Sequence, residues 1–127
     1  MSTLKVNTIQ NTSGGSSSTP EQIEQGRAKA WIHFNGTGTA AIKDSFNVSS
    51  LTDNGDGLYT ITLSITMAND DYCVQCTAHM WEDNSDDNAR ITGPTKMTTT
   101  SFRQSTIYGT GTYQDCQVVM ATVFGDV

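Results

Sequence analysis

Residues 53 to 66 read DNGDGLYTITLSIT, and the strict alternation after the turn constrains the fold more than any other feature of the chain. Tyr59, Ile61, Leu63 and Ile65 fall on one side of a period of two, and Thr60, Thr62, Ser64 and Thr66 on the other. That is the pattern of a strand with one face in a core and one in water. The DNGDG run, Asp53 to Gly57, supplies residues that tolerate positive φ. It therefore reads as a tight reversal between antiparallel strands.

The pattern recurs. Ala30, Ile32 and Phe34 alternate with Lys29, Trp31 and His33, and Tyr72, Val74, Cys76, Ala78 and Met80 with Cys73, Gln75, Thr77, His79 and Trp81. Residues 41–48 hold a short strand or irregular segment, 67–72 a corner, and 81–95 a long acidic loop ending at Gly93-Pro94. KMTTTSFRQSTIYG and CQVVMATVFGD supply the last strands, on either side of a YGTGTYQD turn. With 20 Thr and 12 Ser, the composition favours pleated, half-solvated strands over helices. Six to eight short strands with frequent turns predict an all-β fold: an antiparallel β-sandwich or small barrel forming a knob with a short N-terminal extension. Its predicted core is Ile32, Phe34, Ile61, Leu63, Ile65, Val74, Cys76, Val118, Met120 and Phe124.

Residues 2–10 have the makings of a short strand with Leu4, Val6 and Ile9 as its apolar positions, but a lone strand has no stability of its own. The tract NTSGGSSSTP (11–20) reads as a linker that recovers its ordering entropy by docking on a neighbouring chain or particle. Thr19 as cap, Pro20 at the first helical position and Gly26 as stop predict one or two turns of helix. The expected division is an N-terminal attachment segment and linker over 1–25 and a β-sandwich knob over 26–127.

Little in the chain suggests chemistry. Cys73 and Cys76 have the spacing of a metal or redox half-motif, but residues three apart on a strand point to opposite faces. With only Cys116, His33 and His79 left to complete a site, no metal is expected. The odd cysteine count argues against a disulfide framework. His33 and His79 read as strand histidines with no nucleophile beside them, and Glu82, Asp83, Asp86 and Asp87 as a solvated loop without the ligand spacing of a calcium site. No catalytic residue, cofactor or enzyme activity is expected. The net charge of −6 disfavours nucleic acid as a partner. No apolar run is long enough to insert in a membrane, and MSTLKVNTIQ lacks the apolar core of a secretory signal. The outward aromatics Trp31, Trp81, Tyr108 and Tyr113 suit a subunit interface or a sugar-stacking platform. Trp81, Tyr108 and Tyr113, with the loops 82–94 and 108–115, are the candidates for receptor binding. Leu4, Val6 and Ile9 are the candidates for assembly.

Two stretches are familiar. STLKVNTIQNTSGG, followed by GRAKAWIHFNGTGTAAIKDSFNVSSLTDNGDGLYTITLSITMANDDY, resembles a segment of tail-fibre-like proteins of tailed bacteriophages, notably those of aquatic hosts such as cyanobacteria. The resemblance covers roughly residues 2–72. It implies a structural virion protein that assembles in the host cytoplasm as a homotrimer, an N-terminal end attached to other tail, baseplate or capsid proteins, and a distal knob facing host surface glycan. A chain of 127 residues has no room for a long shaft, so a short tail fibre or baseplate appendage fits best. A capsid decoration or head-fibre protein and a monomeric carbohydrate-binding module are the alternatives. A polysaccharide hydrolase would need a carboxylate pair across a groove, and the dense carboxylates lie in one loop.

Overall fold

In the computed structural model, which describes residues 1–82, 89–109 and 111–127, the alternating stretches form two antiparallel sheets packed face to face. Two-residue strands β1 (Ile9–Gln10) and β2 (Ser17–Ser18) and a helix α1 (Pro20–Gly26) come first. Then follow β3 (Ala30–Asn35), β4 (Ala41–Phe46), β5 (Val48–Asp53), β6 (Leu58–Leu63) and β7 (Cys73–His79). The chain finishes with β8 (Ile91–Thr98), β9 (Ser101–Tyr108), β10 (Thr112–Tyr113) and β11 (Val118–Phe124).

One sheet has the order β4-β3-β11-β7. The other runs β5-β6-β9-β8, with β10 continuing the line of β6 along β9. Strands β3 to β6 thus build one half of the sandwich, and β7, β8, β9 and β11 the other. At one corner β7 meets the approach to β8 through a bridge between His79 and Ala89 and a bond from Arg90 N to Ala78 O of 3.1 Å. The sheets do not close, so the fold is a sandwich and not a barrel.

The alternation is realised as burial. Ala30, Ile32 and Phe34 of β3 and Tyr59, Ile61 and Leu63 of β6 point inward and are buried. The Phe34 and Tyr59 rings meet edge to face at 4.9 Å across the two sheets, a contact worth ~0.5–1.5 kcal/mol beyond the area it covers. Phe102 of β9 and Met67 of the corner between β6 and β7 complete this layer. Ile65, Val74 and Cys76 lie at its margin, partly buried. On β11 the expected face is inverted: Val119, Ala121 and Val123 are buried, while Val118, Met120 and Phe124 point out. Cross-strand partners share a face. Pairing of Val119 with Phe34 and Ala121 with Ile32 therefore turns the odd-numbered residues inward.

Helix α1 starts as read from the sequence. Thr19 Oγ1 accepts from Gln22 N at 3.2 Å, the Gln22 side chain accepts from Thr19 N at 2.9 Å, and Pro20 follows the cap. Four other expectations are corrected. The Ser/Gly tract is ordered by its own hairpin: Asn11 N donates to Ser16 O (3.0 Å), and Asn11 Oδ1 accepts from Gly15 N (2.8 Å). Only Ile9 and Gln10 of the segment 2–10 form strand. Residues 41–53 hold two strands, not one, parted at Asn47, whose φ of 55° turns the chain from one sheet to the other. Gly93-Pro94 does not end a loop but lies inside β8. Among the described residues this strand pairs along one side only, with β9, and an edge strand is where a sheet tolerates a proline.

Candidate functional site

Strands β3, β7 and β9 finish, and β8 and β11 begin, at one end of the sandwich, and this end carries Trp81, Tyr108 and Tyr113. All three are exposed, by 42%, 58% and 48%. The structure brings them to the same end but not to one platform. In the β9–β10 hairpin Tyr108 stands opposite Thr112 and Tyr113 opposite Ile107, so the two tyrosines project from opposite faces. The Gly109–Gly111 turn sets this register, with φ of 54° at Gly109 and 112° at Gly111.

Tyr108 is matched with a cation. The Arg90 guanidinium sits 4.7 Å from its ring centroid, and Arg90 Nε donates to Gln114 Oε1 at 3.1 Å. One face of the Tyr108 ring is thereby occupied and its orientation held. Tyr113 instead ends an apolar row across three strands, Ile91, Ile107 and Tyr113, on the outer face of its sheet. Trp81 follows β7 on a segment tied down at several points. His79 Nδ1 donates to Trp81 O (2.6 Å), Gln117 N to Met80 O (3.0 Å) and Glu82 N to Gln117 Oε1 (3.2 Å). The Glu82 carboxylate pairs with Lys43 of β4. Asp83, Asp86 and Asp87, with the rest of 83–88, lie outside the described residues, as does Thr110.

Beneath this end lies a polar tie that the sequence did not single out. Asp115 Oδ1 accepts from Gly57 N (2.7 Å) and from the Tyr59 hydroxyl (2.6 Å), binding the DNGDG turn to the segment between β10 and β11. Burial, reinforced by the Asp115 carboxylate, holds the Tyr59 phenol well above its ordinary value. Gly57 (φ 61°) is needed by that approach as well as by the turn: a Cβ there would lie 2.5 Å from Thr106 O and 2.6 Å from Gln114 N. Only the glycine pattern of DNGDG hinted at this contact.

Cys73 is exposed and Cys76 half-buried, on the opposite faces that strand alternation requires. Burial pushes the Cys76 thiol up to about 11, so it is protonated near neutral pH. Cys116 is buried, and its thiol is likewise raised by burial. His33 is half-buried on the outer face of β3, with Nε2 covered and without a hydrogen-bond partner. Among the described residues no group of three or more His, Cys, Asp or Glu is placed to hold a metal ion.

The assembly candidates stand elsewhere, on the N-terminal arm. Leu4, Val6 and Ile9 are 83%, 38% and 54% exposed. With Pro20 and Ile23 of α1 they line an open groove of about 620 Å³. Ile23, itself 45% exposed, belongs with them; its place on the outer side of a short helix gave no sequence signal. Comparison with family models, with curated proteins and with solved structures finds no match to this chain.

Proposed function

We propose that the chain is a structural module of a tailed-phage virion, a short tail fibre or baseplate appendage that works as a homotrimer and contributes to host-surface recognition. The observation that carries the reading is the division of the molecule: an arm with exposed apolar side chains, joined to a sandwich whose loops present aromatics. The resemblance over residues 2–72 spans the arm and the β3–β6 half of the sandwich. It therefore embraces the assembly element and half of the scaffold, while the exposed tyrosines and Trp81 lie in the other half. In this reading Leu4, Val6 and Ile9 serve assembly, and Trp81, Tyr108 and Tyr113 face the host.

The test is incorporation. A chain lacking residues 1–18 is expected to keep the circular dichroism of the sandwich yet be missing from purified particles. Normal incorporation of the shortened chain would refute the assembly role of the arm.

A further inference from the structure

The arm and one edge of the sandwich are each incomplete in a complementary way. Residues 1–17 are exposed throughout, and residues 1–8 belong to no strand. Their backbone N–H and C=O groups are therefore free of any ladder, in a stretch with no Pro or Gly and with Thr3, Val6 and Thr8 among its residues. Leu4 and Val6, two apart, share one face of such a strand. Helix α1, on which the arm rests, has no buried residue. It is held to the body by polar contacts: Lys29 Nζ donates to Glu24 O (2.6 Å) and Glu24 Oε1 (2.5 Å), and the Gln25 amide to Asp126.

Among the described residues strand β4 is an edge, bonded to β3 on one side only. Five of its six residues are exposed, including Ile42 and Phe46 at 40% and 48%. Edge strands that stay unpaired are shielded by charge, proline or a cover. Here Lys43 is paired with Glu82, and the large apolar side chains stand uncovered. Phe46 lies beside Trp31 of β3, so an apolar row already runs inward from this edge.

Charge selects the occupant. Lys5 is the only charged side chain among residues 1–18, while from Thr19 onward six basic residues face 13 acidic ones. Two acidic bodies repel each other, but a cationic arm is attracted to the body of another copy. We propose that residues 3–9 of one copy add as a strand to the free edge of β4 in a neighbouring copy, with Leu4 and Val6 extending the Phe46–Trp31 row. Strand addition satisfies the arm's backbone groups and covers the exposed edge in one contact. Arm and edge are different surfaces, so the contact is heterologous, and a closed set of copies satisfies every arm and every edge. The inference deepens the assembly role given to the arm above by naming its partner, and it concerns self-association alone.

Two measurements on purified protein test it. In sedimentation at micromolar concentration the full chain should be oligomeric. Removal of residues 1–10, or Ile42→Asp with Phe46→Asp, should weaken association at least about tenfold without loss of the strand spectrum. In a Cys73→Ser background, chains carrying Val6→Cys mixed with chains carrying Asp44→Cys should form disulfides between unlike chains. A monomeric full chain, an oligomer indifferent to either change, or cross-links only when both substitutions share one chain would each overturn the inference. None of these results bears on whether the chain is found in particles, which the incorporation test decides.

Discussion

Replacing Gly57 by alanine imposes two costs at once, and a second glycine separates them. Gly57 and Gly38 have nearly the same φ, 61° and 66°. An alanine at either must hold a left-handed conformation, at roughly 1–2 kcal/mol. At Gly38 the added Cβ meets nothing within 4 Å. At Gly57 it would lie 2.5 Å from Thr106 O, 2.6 Å from Gln114 N and 2.9 Å from Gln114 O. These are backbone atoms and cannot swing aside. Relieving the overlap must push the turn away from the β10–β11 segment and lengthen the bonds that Asp115 accepts from Gly57 N and Tyr59. Overpacking of this kind adds ~1–3 kcal/mol. Gly38→Ala is therefore expected to cost about 1–2 kcal/mol and Gly57→Ala about 2–5 kcal/mol. Urea unfolding followed by circular dichroism, at one fixed protein concentration, measures both. Equal midpoints for the two variants would refute the close approach.

Phe34→Ala should cost ~3–5 kcal/mol in the same assay, because its ring is fully buried against Tyr59 between the sheets. Stability should also fall in alkali. The Tyr59 phenol is raised in the fold by burial and by Asp115, so its contribution is complete below the ordinary value of 10.0 and drains away as pH rises past it. Tyr59→Phe, with nothing to ionise at that position, should lose this alkaline step; an unchanged pH profile would contradict the assignment. Since Tyr108 and Tyr113 point from opposite faces, Tyr108→Ala and Tyr113→Ala should differ in their effect on adsorption to host cells. Equal losses in the two single variants would count against two separate surfaces.

Sequence reading succeeded where a local pattern carried the physics. Thr19, Pro20 and Gln22 mark the helix start within four residues, and DNGDG with alternating Tyr59, Ile61 and Leu63 marks the β5–β6 hairpin and its inward face. It failed where a partner distant in the chain decides. Both faces of β11 are apolar, so alternation alone could not choose between Val118 with Met120 and Val119 with Ala121; register with Phe34 and Ile32 did. Pro94 suggested a loop because the sequence does not say which strand is an edge. The same limit applies at the proposed recognition end. Its location followed from loop positions, but the opposite faces of Tyr108 and Tyr113 follow from hairpin register, and the Arg90–Tyr108 contact from pairing of β8 with β9. The Asp115–Gly57–Tyr59 tie joins residues more than 50 apart, beyond any local signal.

The proposal that this chain is a structural part of a phage particle is decided by electron cryomicroscopy of purified virions of a phage carrying its coding sequence. Density for the two-sheet sandwich is expected at the tail or baseplate, in threefold groups, with the arm toward the particle and the Trp81, Tyr108 and Tyr113 end outward. Particles that lack the chain altogether, or that carry it singly with the arm pointing into solvent, would contradict it.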